Sequence, residues 1–144
     1  MKVAIGYHVQ PGAWGGGNRF AKSLAAALEA RGDTVVYDLA AEDIDILVMT
    51  DPRSRSSNIS FAAGACLRYL ARHPEAVVIH RINECDERKG TKSMNRRLRI
   101  ANYAADHTVF IASWLRDLDL WQHGPWSVVL NGGETGVFRA DRNR

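Results

Sequence analysis

The chain has 144 residues, 46% hydrophobic and 24% charged, a size and balance that fit one globular domain with a real core. Its formal charge of +3 suits anionic ligands or a membrane surface and is too weak to argue for nucleic acid. Cys66 and Cys85 stand at no metal-binding or CxxC spacing, which points to reduced thiols in a cytoplasmic protein. The apolar start is too short for a signal peptide, and no run approaches the ~20 residues of a bilayer span.

The first strand is predicted over residues 3–7, Val3-Ala4-Ile5-Gly6-Tyr7. A loop over 8–17 closes with Gly15-Gly16-Gly17, and a helix over 18–31 follows, with Phe20, Leu24 and Leu28 one turn apart and Gly32 as its stop. Asn18 is placed as the helix N-cap. The β-branched and aromatic run 34–37 predicts a second strand. The nearly continuous apolar run 44–49 predicts a third, covered on both faces. After a polar loop over 50–58, a helix over 59–72 buries Ile59, Ala62, Cys66 and Tyr69. Residues 76–82 form the fourth strand, 83–92 a charged loop and 93–105 a helix. Residues 107–112 form the fifth strand. Ser113 caps a short helix over 114–121, and 127–130 is the sixth strand before Asn131-Gly132-Gly133 and a polar tail.

Strands alternating with helices over short links define an α/β fold, a doubly wound parallel sheet of about six strands with helices on both faces. Ligands on such sheets bind at the C-terminal ends of the strands. That singles out the loops at 8–17, 50–58, 83–92 and 131–136. A strand, a glycine cluster and a helix start in that order suit an anion. The first helical N–H groups lack intrahelical acceptors, the dipole is positive there, and glycine removes the Cβ. No lysine follows the glycines, so a Walker A loop is excluded. In the dinucleotide fingerprint Gly15 and Gly17 would supply the first two glycines. Phe20 stands where the third belongs, and the loop from Tyr7 is too long for the tight turn. Asp38 alone fits a ribose-binding acid, which leaves an NAD-binding domain as a weak rival.

The opening Met1-Lys2-Val3-Ala4-Ile5, the loop Trp14-Gly15-Gly16-Gly17-Asn18 and the turn Ala30-Arg31-Gly32-Asp33-Thr34-Val35 resemble the start of GT-B glycosyltransferases. The closest group is the retaining family 4 enzymes. The segment 105–115, Ala105-Asp106-His107 through Ser113-Trp114-Leu115, is similar to that family's "AD-x-v-i-x-x-S-x-x-l" stretch. The segment 128–138, with Asn131-Gly132-Gly133-Glu134 and Phe138, is similar to its "v-i-x-N-G-v-d-x-x-x-F" stretch, Gly133 and Glu134 standing where "v-d" is usual. The resemblance runs along nearly the whole chain in the right order.

The resemblance implies an N-terminal, acceptor-side Rossmann-like domain, half of a two-domain enzyme, with the nucleotide-sugar-binding donor domain missing or separate. Such an enzyme moves a sugar from a nucleotide-sugar co-substrate to a hydroxyl of a glycan or lipid-linked acceptor, without a metal ion or other cofactor. The half alone is expected to turn over little or nothing, to offer a face for a homo-oligomer or partner, and to work in the cytoplasm, at the membrane surface for a lipid-linked acceptor. Gly15, Gly16, Gly17 and Asn18 are the expected donor-phosphate contacts. Where family members carry a sugar-contacting histidine, the best-aligned position is Asn83, the candidate catalytic residue. Its amide can bond a hydroxyl but cannot shuttle a proton.

Several residues carry two readings. Arg81 and Glu84 are either substrate contacts or a strand-end ion pair, and His80 is at least as readily a core histidine. Arg88 and Lys89 begin a run with Lys92, Arg96, Arg97 and Arg99 and no acids. That run is either an anionic acceptor or lipid-headgroup surface, or a solvated helix face. Arg53 and Arg55 either clamp a phosphate or are solvated. Trp114, Trp121 and Trp126 read as core or as packing against a missing domain. A non-catalytic glycan- or partner-binding module is the alternative to an enzyme.

Overall fold

A computed structural model describes residues 1–12, 14–118, 120–121 and 123–132. The similarity at 133–138 and the polar tail lie outside the described residues. Six strands form one open, wholly parallel sheet: β1 (Lys2–Ile5), β2 (Thr34–Val36), β3 (Ile46–Met49), β4 (Val77–Ile82), β5 (His107–Phe110) and β6 (Trp126–Val128). Their order is β2-β1-β3-β4-β5-β6. The chain winds outward from β1 to β2, returns to β3, and then winds the other way. The reversal between β1 and β3 is the topological switch point of a Rossmann-like fold. Register pairs Val3 with Ile46, Val48 with Ile79 and His80 with Thr108.

Five helices are described: α1 (Gly15–Ala30), α2 (Ala63–Leu70), α3 (Asp86–Lys89), α4 (Met94–Asn102) and α5 (Ser113–Asp117). Successive strand residues face opposite sides, so the cores show which helix covers which face. Ile5 packs with Ala21 and Ala25 of α1 and with Ile59. Ala4, Leu47 and Val78 pack with Cys66 and Tyr69 of α2. Ile82 and Phe110 pack with Met94 and Leu98 of α4 and Leu115 of α5. Hence α1 lies on one face and α2, α4 and α5 on the other. No described helix is long and apolar enough to cross a membrane.

Several boundaries differ from expectation. α1 begins at Gly15 rather than 18, so the glycines are its first turn. Its N-cap is Trp14, without a side-chain cap bond. Asn18 is therefore no cap. It is buried, and its amide accepts from Gln10 N (2.8 Å) and donates to Gln10 O (2.9 Å), pinning the loop after β1. Besides Asn18, the buried residues of α1 are the small Ala21 and Ala25, while Leu24 and Leu28 are half-buried, because α1 lies close against the sheet. α2 starts at Ala63, after an extended Ala62, since Ile59 is drawn into the core under α1, across the sheet from α2. The N-cap of α5 is Ala112 rather than Ser113, with no side-chain bond. The predicted stop after α1 holds: Gly32 N and Asp33 N return to Glu29 O and Leu28 O (2.9 and 3.0 Å).

Candidate functional site

A cleft of about 310 Å³ opens at the C-terminal ends of β1, β3, β4 and β5, beside the switch point. Tyr7 reaches it from beyond β1, Asp51 and Arg53 from beyond β3, Arg81 from β4, Asn83 from just beyond it, and Ile111 from just beyond β5. Gly16 and Gly17 bring the first turn of α1 to its wall. The 83–92 loop closes it with Glu84, Arg88 and Lys89. Gly16, Gly17, Arg81, Asn83, Glu84, Arg88 and Lys89 therefore converge as a group. Gly15 and Asn18 do not. They line a neighbouring groove beside Trp14 and Lys22.

Gly17 is glycine for packing. A Cβ there would sit 3.0 Å from the Tyr7 ring, whereas one on Gly16 would meet nothing within 4 Å. The uncapped N–H groups of this turn carry the positive end of a 16-residue helix.

Four cationic side chains line the cleft against two carboxylates, and the pairing is uneven. Arg53 grips Asp51 with two nitrogens, at 2.9 and 2.6 Å. Lys89 Nζ lies 2.8 Å from Glu84 Oε2, close enough for an ion pair but without the alignment of a hydrogen bond. Arg88 Nε is 3.7 Å from Glu84 Oε1. The strand-end pair expected between Arg81 and Glu84 does not form, because Glu84 turns to the loop.

Arg81 is left with no carboxylate among the described residues, although it is only 6% exposed. Its guanidinium lies 3.8 Å above the centroid of the Phe20 ring, and Nη2 donates to Asn131 Oδ1 at 2.8 Å. Burial lowers its pKa to about 10, so it stays charged at neutral pH. Phe20, the residue that breaks the dinucleotide fingerprint, is thus the platform for the buried cation. The sequence marked it only as one of the apolar residues a turn apart on the helix and as the break in that fingerprint, and it singled out neither Tyr7 nor Asp51 as a site residue.

Asn83 is half-buried at the cleft. Its carbonyl accepts from Arg88 Nη1 (3.4 Å), while its side-chain amide takes no partner among the described residues. The loop beyond it is held by Asp86. One oxygen of that carboxylate accepts from Met94 N (2.8 Å) and from the Thr91 hydroxyl, the other from Asn95 N (3.0 Å). Asp86 thus caps α4 from eight residues away, since Ser93 makes no cap bond. These hydrogen bonds hold its carboxyl below the ordinary range against the opposing pull of desolvation. The charged loop is therefore ordered, and it contains α3, which was not expected from sequence.

His80 lies outside the cleft. It is fully buried, with Nδ1 2.7 Å from Asn102 Oδ1, and Asn102 Nδ2 donates to Thr108 Oγ1 at 2.7 Å. Burial pushes its pKa down to about 4, so it is a neutral core histidine. Trp114 and Trp126 are not core, being 44% and 45% exposed. Comparison with protein-family models, with curated proteins and with solved structures gave no match to this chain.

Proposed function

We propose that this chain is the acceptor-side domain of a retaining, metal-independent glycosyltransferase, and that its cleft receives the phosphate-bearing part of a nucleotide-sugar beside the acceptor hydroxyl. The observation that carries this reading is Arg81. A buried guanidinium without a carboxylate is costly by several kcal/mol, and an anion in the cleft offsets that cost. The free N–H groups of Gly16 and Gly17 and the charges of Arg88 and Lys89 converge on the same space. A cleft of 310 Å³ stands at the small end of ligand pockets, room for a sugar phosphate rather than a whole nucleotide-sugar. In retaining transfer the leaving diphosphate gathers negative charge as the glycosidic bond breaks, and preorganised cations and N–H groups stabilise that charge. Asn83 bonds a sugar hydroxyl. The two unpaired, buried thiols suit a reducing, cytoplasmic setting.

A binding module without catalysis is the second reading. What favours it is that both cleft carboxylates are engaged by cations and His80 is buried elsewhere, so the described cleft side chains include neither a free carboxylate nor an imidazole. Calorimetric titration with uridine and guanosine diphosphate sugars, free pyrophosphate and NADH tests the proposal. Diphosphate-sugar binding competed by pyrophosphate supports it. Tight NADH binding with no response to the sugars would overturn it in favour of the dinucleotide rival. Sugar release or transfer by the protein, alone or with a donor-domain partner, separates enzyme from module.

A further inference from the structure

The face made by α2 and α4 has a charge pattern that the cleft does not use. The two helices pack side by side on the sheet face opposite α1. Five arginines stand exposed along them and just beyond: Arg68, Arg72, Arg96, Arg97 and Arg99. None has an acidic partner among the described residues. The chain has 16 acids, yet residues 52–74 and 88–105 contain none, while Glu29, Asp33, Asp38, Glu42, Asp43, Asp45 and Asp51 all fall within residues 29–51. The mild overall charge therefore conceals a strongly one-signed face. Among the arginines stand Leu67, Ile100 and Tyr103, exposed by 52%, 58% and 75%. On α4, Arg96, Arg99, Ile100 and Tyr103 share one side of the helix, opposite the buried Leu98. A merely solvated face has no need of large apolar side chains among unpaired cations. A nucleic-acid surface would use the charge and leave the aliphatic groups idle.

We infer that this face docks on an anionic lipid bilayer, the arginines meeting the headgroups and Leu67, Ile100 and Tyr103 entering the interface. The 83–92 loop, which carries Arg88 and Lys89 into the cleft, runs directly into α4. Docking therefore sets the cleft beside the membrane. The inference stands on the α2–α4 face alone and not on the reading of the cleft.

Co-sedimentation of the protein with vesicles of phosphatidylglycerol and phosphatidylcholine, against phosphatidylcholine alone, tests it. Binding is expected only to the anionic vesicles and is expected to fall as salt rises. Arg96→Gln with Arg99→Gln lowers partitioning about 25-fold, about fivefold for each charge removed. Leu67→Ser with Ile100→Ser lowers it about tenfold. Circular dichroism melts and pyrophosphate titration of both variants check that fold and cleft are intact. Equal binding to neutral vesicles, no binding, or unchanged partitioning of either folded variant would overturn the inference. So would preferential capture of polyuridine RNA that ignores the serine substitutions.

Discussion

His80 and Arg81 are neighbours on β4 and both are buried, yet they face opposite sides of the sheet and meet burial in opposite ways. Toward α4, His80 gives up its charge and joins Asn102 and Thr108 in the core. Toward α1, Arg81 keeps its charge, with a ring, one amide and the open cleft around it. A structural polar group can be neutralised inside the fold. A guanidinium cannot be, so its burial without a counter-ion marks the side of β4 where an anion belongs.

The contrast can be broken first on the His80 side. Asn102→Ala strands His80 Nδ1 and Thr108 Oγ1 and opens a gap, and should cost about 3 kcal/mol in urea unfolding with pyrophosphate affinity unchanged. The pH dependence comes next. The unfolded chain protonates His80 near 6.5 and the native state only near 4, so below pH 6.5 the unfolded state binds more protons and stability falls. The slope of this contribution should approach ~1.4 kcal/mol per pH unit between those values, and His80→Gln should flatten it. Asp33 and Asp43 are held below the ordinary carboxylate pKa of 3.8 by hydrogen bonds from the N-terminus and Lys2, so their share of acid unfolding comes at lower pH still.

On the cleft side the effects on stability should be smaller. Gly17→Ala pushes the Tyr7 ring and should cost about 1 kcal/mol, whereas Gly16→Ala has free space and should be neutral or slightly stabilising. Thermal melts of the pair distinguish a packing glycine from a ligand-facing one, and only Gly16→Ala should weaken anion binding without loss of stability. Arg81→Met should leave the unliganded protein unchanged or up to ~1 kcal/mol more stable, because it removes an uncompensated buried charge. A large loss of stability in that variant would make Arg81 a structural residue like His80.

The sheet was largely legible in the sequence because its strands are short apolar runs broken by turn residues, as in 44–49 and 76–82. The core role of His80 was open to the same reasoning, since it sits within such a run. What escaped depends on contacts distant in sequence. The side chain of Asn18 bonds Gln10 rather than its own helix end. Asp86 caps a helix that starts eight residues later. Glu84 turns from Arg81 to Lys89. Phe20 looked like a flaw in a glycine pattern, and only the reach of the Arg81 side chain from β4 to α1 shows it beneath a guanidinium. Chain order brings Arg88 and Lys89 to the cleft through a loop whose ordering no local pattern encodes.

The central claim is that Arg81 is buried for an anion. Calorimetric titration of pyrophosphate into the wild-type chain and Arg81→Met, in low-salt buffer near pH 7.5, tests it most directly. Saturable binding by the wild type, and an affinity about a hundredfold weaker in a variant that melts no lower, is the predicted result. Equal affinities in the two proteins, or no saturable binding by the wild type, would contradict it.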